Sequence, residues 1–225
     1  MLISMHLPKT AGNSFLKALE RKYGQNLYKD YDDMQKIQKF LAGDNNKHEL
    51  LATPFSESSH LPECIHGHFL AAKFLPYRQR NDAKFITWLR EPVQRLISHY
   101  NFFRRSYDPA TAGPLFRKVI EENWSLEAFC LSDEFRNIYS KYITDFSFNN
   151  FDFVGVTEFY DEDLRFLSEN ILSFNLIPYK LNSAEPVRLN DTVIDPGFRK
   201  EIELFHSLDM DLYKQALEVR RQRND

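Results

Sequence analysis

Residues 1–14 read MLISMHLPKTAGNS, and this stretch decides the fold. Leu2–Leu7 is a short apolar run interrupted by Ser4 and His6. Pro8 stops it, and the turn Pro8–Ser14 leads into a helical pattern over Asn13–Tyr23. A buried strand, a small-residue turn and a helix start make a cradle for a phosphate, because backbone N–H groups point at the anion and the helix dipole favours its charge. Lys9 adds a mobile positive charge, and Thr10, Asn13 and Ser14 add side-chain donors. Gly12 lets the backbone come close to a ligand. The same residues also admit a plain strand–turn–helix in which Lys9 and Ser14 only cap the helix.

The turn is not a Walker A loop, which reads GxxxxGK[ST] with its lysine after the second glycine and a hydroxyl for magnesium. Here Lys9 precedes Gly12 and no earlier glycine opens the loop. No later apolar run ends in an aspartate that would serve as a magnesium partner. A nucleotide handled without Mg²⁺ is the expectation.

The 225 residues suffice for one sizeable core, so a single domain over 1–225 is expected. A composition 43% hydrophobic and 27% charged is that of a globular protein. A net charge of −3 argues against a dedicated nucleic-acid binder. Cys64 and Cys130 form no disulfide framework and no zinc spacing, and read as reduced, buried small hydrophobes. No apolar window is long enough for a transmembrane helix, and the N-terminus lacks the pattern of a signal peptide, so a soluble, cytoplasmic protein is expected.

Leu2–Leu7, Glu63–His66, Phe85–Leu89 and Phe153–Thr157 are short apolar runs of the kind buried on both faces of a parallel sheet, with Tyr179–Leu181 a weaker fifth. Helical patterns lie between and after them, over Asn13–Tyr23, Tyr31–Leu41, Pro92–Arg104, Leu115–Glu122, Leu126–Leu131, Asp133–Thr144, Asp161–Phe174, Pro196–Ser207 and Asp209–Arg221. This alternation predicts an α/β fold with a central, mainly parallel sheet of about four to five strands and helices on both faces. Pro92, Ser125 and Asp195 mark helix starts. The C-terminal VRRQRND reads as a charged helix end that frays.

Two further segments carry chemistry. In FITWLREPVQRLISHY (85–100), Arg90 ends a strand where α/β ligand sites open, and Ser98 follows eight residues on. A guanidinium and a hydroxyl so placed can bind a second phosphate, although a salt bridge of Arg90 with Glu91 accounts for the arginine equally well. In CIHGHF (64–69), the period of two puts His66 and His68 on one face, with Gly67 removing bulk between them. A histidine near its ordinary pKa accepts a proton at neutral pH. Two packed core histidines, or a metal pair lacking its third ligand, are the competing readings.

PKTAGNS (8–14), HGH (66–68) and LREPVQRLISHY (89–100), in that order, resemble the P-loop sulfotransferases, and within them the carbohydrate class that includes heparan sulfate 2-O-sulfotransferase. FVGVTEFYDEDLRFL (153–167) is similar to the family's later strand–helix unit. The resemblance implies a P-loop-type three-layer fold and 3′-phosphoadenosine 5′-phosphosulfate (PAPS) as sulfuryl donor, with no metal. It further implies a hydroxyl acceptor on a glycan or glycoconjugate. It assigns the backbone of Thr10, Ala11, Gly12, Asn13 and Ser14, with the Thr10 and Ser14 hydroxyls, to the 5′-phosphate, and Arg90 and Ser98 to the 3′-phosphate. Lys9 would neutralise the leaving oxygen, His68 would be the general base and His66 its companion. Lys180 and Asn182 fall where the family closes over the adenine.

The chain departs from the family at Asn13, which replaces a small hydroxyl residue. Arg78, Arg80, Lys84, Arg104 and Arg105 could form a basic rim for an acidic acceptor, or a plain solvated surface. Two other functions remain open on the residues: a metal-dependent P-loop kinase, and a nucleotide-binding or interaction module without turnover.

Overall fold

The computed structural model describes residues 1–31, 34–41, 43, 47–53, 55, 61–80, 83–172, 174–176 and 194–224. Its elements in the first half are β1 (Leu2–Met5), α1 (Gly12–Tyr23), β2 (Leu27–Asp30), α2 (Met34–Leu41), α3 (Lys47–Leu50), β3 (Cys64–Gly67), α4 (Pro76–Arg80) and β4 (Lys84–Leu89). There follow α5 (Pro92–Ser106), α6 (Pro114–Glu121), α7 (Leu126–Cys130), α8 (Ile138–Tyr142), β5 (Phe153–Val156), α9 (Tyr160–Phe166), α10 (Pro196–Phe205) and α11 (Ser207–Asn224).

The strands form one five-stranded sheet in the order β2-β3-β1-β4-β5, parallel at every pairing. The period of two sorts its side chains. Ile3, Met5, Ile65, Phe85, Leu89, Val154 and Val156 face one way, into a core closed by Ile37, Ile138, Tyr142, Tyr213 and Ala216. Leu2, Cys64, Ile86, Trp88 and Phe153 face the other way, against Phe15, Ala18 and Leu19 of α1 and Leu164 of α9. This is the three-layer α/β arrangement expected. A third cluster, with Val93, Leu96, Ile97, Phe103, Val119, Phe129, Phe135 and Ile202, ties α5, α6, α7 and α10 into a helical annex.

Expected helix starts hold where a cap could be read. Pro92 opens α5, the Ser125 hydroxyl accepts from Ala128 N at 3.1 Å, and Asp195 accepts from Gly197 N and Phe198 N. Several boundaries differ. Strand β2, LYKD, has no counterpart among the expected strands, because this partly exposed edge strand carries no apolar run. The pattern Tyr31–Leu41 becomes helical only at Met34. Asp133–Thr144 is broken at Asn137, whose φ of 51° is left-handed, a conformation Asn tolerates. Asp161–Phe174 changes after α9 into a π-helix over Leu167–Leu172.

The C-terminal end does not fray through the described residues. Arg220 donates to the buried Asp163 at 2.9 Å and Arg223 donates to Val154 O at 3.0 Å, so α11 runs to Asn224 along β5. Tyr179–Leu181 lies outside the described residues.

Candidate functional site

Strand β1 lies between β3 and β4: the connection from β1 to β2 runs toward one edge of the sheet, and the connection from β3 to β4 crosses β1 toward the other. Ligands of open α/β sheets bind outside the carboxyl ends of the strands at such a switch point. A cavity of about 480 Å³ opens there. It brings together Lys9, Ala11, Gly12, Asn13, Ser14, His68, Arg90 and Ser98, eight of the residues expected at the site.

The turn after β1 is built by two left-handed residues, Lys9 with φ 68° and Ala11 with φ 62°. Ala11 leads into α1 without a side-chain cap, and the first turn of α1 holds no acidic residue. The free N–H groups and positive end of that helix therefore face the cavity without an internal anion. The Thr10 hydroxyl serves the loop itself. It is 1% exposed and donates to Leu7 O at 2.8 Å, locking the turn. A Cβ on Gly12 would lie 1.8 Å from Nε2 of His6, so the missing side chain makes room for that imidazole.

Cations gather at this end. Burial, then Arg105 and Arg90, push the Lys9 ammonium down to about 8. Among the described residues neither Lys9 nor Arg90 pairs with a carboxylate, and the Lys9 Nζ lies 4.4 Å over the Phe102 ring. The alternative partner of Arg90 is engaged elsewhere. Glu91 caps α5 through Gln94 N at 2.8 Å and binds Arg199 at 2.8 Å. Tyr139 holds the Arg90 backbone, donating to its carbonyl at 2.8 Å. Ser98, 5% exposed, lines the same cavity.

At the ends of β1 and β3 stand three imidazoles, not two. His6 stacks on His68 with centroids 4.2 Å apart and on His66 at 5.3 Å, while its Nδ1 meets the Tyr31 hydroxyl at 2.9 Å. His68 Nδ1 is bonded to the carbonyl of His6. A carbonyl only accepts, so the proton resides on Nδ1, and Nε2 of neutral His68 carries the lone pair. Burial lowers His68 to about 4 and His66 to about 3. Both rings are neutral at pH 7.

His66 is 1% exposed, bonds Ser4 Oγ at 2.8 Å through Nδ1 and does not line the cavity. It stands behind His6, one layer from any ligand. Gly67 serves the sheet: a Cβ there would lie 1.8 Å from the carbonyl oxygen of Asp30 on β2. His6 and Tyr31 escape the sequence reading, since one looks like a blemish in an apolar strand and the other like a helix start. The spacing of His6 two residues before the turn is the available signal.

The five basic residues do not share one rim. Arg78 binds Asp152 at 3.0 Å and Asn150 O at 2.6 Å, and Lys84 donates to Ile171 O, all at the opposite end of the strands. Arg104 bonds Tyr100 Oη at 2.9 Å, and Arg105 acts on Lys9. The side chain of Arg80, and Lys180 and Asn182 altogether, lie outside the described residues.

Residues 1–214 match the model of the sulfotransferase family. The chain belongs to the sulfotransferase family. Similar solved structures include a sulfotransferase from Alicyclobacillus acidocaldarius, 14% identical, with 96% of this chain and 95% of that one covered and a TM-score of 0.48. Another is mouse sulfotransferase SULT7A1 complexed with PAP, 14% identical, with 90% and 61% covered and a TM-score of 0.38. No curated protein sequence matches significantly. Among the described residues of this sulfotransferase, no helix is long and apolar enough to cross a membrane, and no group of three or more His, Cys, Asp or Glu could hold a metal.

Proposed function

We propose that this sulfotransferase moves a sulfuryl group from PAPS to a hydroxyl, with His68 as general base. One observation carries the reading: Lys9 and Arg90 face one cavity without a carboxylate partner among the described residues, at an uncapped helix start, beside a neutral His68 whose Nδ1 is already occupied. A cluster of like charges that each depress Lys9 is satisfied by a polyanion, and a nucleotide with phosphates at both its 5′ and 3′ positions supplies two. The amides of Ala11–Ser14 with Lys9 would take the 5′-phosphosulfate, and Arg90 with Ser98 the 3′-phosphate. Lys180 and Asn182 remain candidates for the adenine side on resemblance alone. Thr10 would shape the loop through its Leu7 bond, and His66 would support His6.

In the transfer, the acceptor oxygen forms a bond to sulfur as the bond from sulfur to the bridging phosphate oxygen breaks. The acceptor proton passes to His68 Nε2, and Lys9 offsets the charge developing on the departing oxygen. No step calls for a metal, unlike phosphoryl transfer by a P-loop kinase. An imidazole held neutral beside the phosphate site also speaks for turnover over a pure binding module. Free buried thiols at Cys64 and Cys130 are compatible with a reducing, cytoplasmic setting. Resemblance favours a glycan as the acceptor.

Calorimetry with adenosine 3′,5′-bisphosphate, adenosine 5′-phosphate and MgATP tests the donor. Tightest binding of the bisphosphate, independent of magnesium, is expected. Preference for MgATP sinks the proposal.

A further inference from the structure

We infer that Tyr139 is a positioning residue for Arg90: its hydroxyl fixes the backbone from which the guanidinium reaches a phosphate in the cavity. This role rests on the reading of Arg90 as the 3′-phosphate ligand. β4 ends at Leu89, the last residue in register with β5, and α5 begins at Pro92. Between them Arg90 has left the sheet, and its N–H and C=O need partners outside the ladder. One hydroxyl supplies both. Tyr139 Oη accepts from Arg90 N at 3.2 Å and donates to Arg90 O at 2.8 Å.

The residues on either side are pinned in the same manner. Thr157 donates to Leu89 O at 2.8 Å, and Glu158 accepts from Glu91 N at 2.9 Å. Three consecutive backbone units are thus held by side chains. The Arg90 guanidinium, by contrast, lines the cavity without a carboxylate partner among the described residues. A fixed root and an unpaired head suit a residue kept ready for an anion, since less freedom is lost when the anion binds. A cation kept only for stability has its head paired, as Arg78 does with Asp152 at 3.0 Å.

Tyr139 is itself held in place by two other helices. Asp209 of α11, fully buried, accepts from Tyr139 N and Ser140 N at 3.1 Å each. The guanidinium of Arg95, buried in α5, lies 5.6 Å from the centre of the Tyr139 ring. Burial pushes the Tyr139 phenol up from its ordinary range, so its proton stays in place to be donated at neutral pH. Tyr139 is fully buried and does not line the cavity, so it acts on a ligand only through Arg90.

The test compares calorimetric affinities for adenosine 3′,5′-bisphosphate and adenosine 5′-phosphate in wild type, Tyr139→Phe, Arg90→Ala and the double variant. Tyr139→Phe keeps the ring and removes only the hydroxyl. Expected is a loss of about fivefold for the bisphosphate, none for the 5′-phosphate, and no further loss when Tyr139→Phe is added to Arg90→Ala. Tyr100→Phe, which removes a hydroxyl bonded to Trp124 O at 3.0 Å in the helical annex, should leave the ratio of the two affinities where it was. Hydrogen exchange at the Arg90 amide is read alongside, slow in wild type and faster in Tyr139→Phe. Equal losses for both nucleotides in Tyr139→Phe overturn the proposal, as does a Tyr139→Phe loss that persists undiminished without Arg90. An Arg90 amide exchanging freely in wild type overturns it even if Tyr139→Phe does not fold. Arg90→Ala weakening both nucleotides alike, or no bisphosphate binding by wild type, is instead the failure of the donor reading. The amide exchange then still decides whether Tyr139 holds Arg90.

Discussion

At the N-terminal ends of the strands, Arg78 is matched by Asp152 and by a backbone carbonyl, and Lys84 by the carbonyl of Ile171. At the C-terminal ends, Lys9 and Arg90 have no carboxylate among the described residues, and the nearby histidines are kept neutral by burial. The two edges of one sheet thus differ in whether charge is consumed by the fold or left for something else. Paired cations contribute a little stability. Cations held close to one another cost stability and are retained for a ligand.

The sharpest way to break this contrast is His68→Ala. Loss of a positioned base should lower kcat by about 10²–10⁴-fold while bisphosphate affinity in calorimetry hardly moves; equal loss of both would remove His68 from the base role. Arg90→Ala comes next. A charge-assisted bond is worth about 1.5–3 kcal/mol, so affinity for the 3′,5′-bisphosphate should drop by roughly 10–100-fold, with adenosine 5′-phosphate little affected. Equal effects on the two nucleotides would detach Arg90 from the 3′-phosphate.

Two pH effects are smaller. An anion beside Lys9 restores the ammonium that burial and its neighbours push down to about 8, so nucleotide binding near pH 8 should take up a proton. Calorimetry in buffers of different ionisation enthalpy reads that uptake, and an identical heat in all buffers would count against it. Burial pushes His66 down to about 3, and His68 and His206 down to about 4, in the folded protein. Unfolded, they titrate near about 6.5. Between those values the unfolded chain binds more protons, so stability is full above about 6.5 and is lost as pH falls toward 4. Urea midpoints across that window measure the loss. The smallest effect belongs to the opposite edge: Arg78→Ala should cost at most about 1 kcal/mol, because the pair is about a third exposed, and leave transfer unchanged.

Much of this arrangement is legible in the sequence because buried parallel strands announce themselves. β1, β3, β4 and β5 are short, mostly apolar runs, Lys9, Arg90 and His68 stand just beyond their ends, and Ser98 follows in α5. β2 is hidden for the converse reason. As a partly exposed edge it needs no apolar run, and its Asp30 is a charge buried only because Lys73 reaches it at 2.8 Å. His6 is hidden because its meaning is relational: it fills the volume that Gly12 vacates and bonds Tyr31, a residue 25 positions away. Thr10 shows the limit of motif reasoning, since a hydroxyl in a phosphate loop can be engaged by the loop itself. The apolar wall of the cavity is a product of packing between α2, α5 and α6, and no short stretch of sequence contains it.

The position of β1 at the centre of an all-parallel sheet also governs when the site can exist. Leu2 pairs with Cys64 on one side and Lys84 on the other. During synthesis the phosphate loop leaves the ribosome long before either neighbour, and β1 has both of its partners only once β4 has followed. Arg90 and Ser98 emerge directly behind β4. The cradle and its second anchor therefore mature together, and a nascent chain stalled before Leu89 should have no hold on the nucleotide.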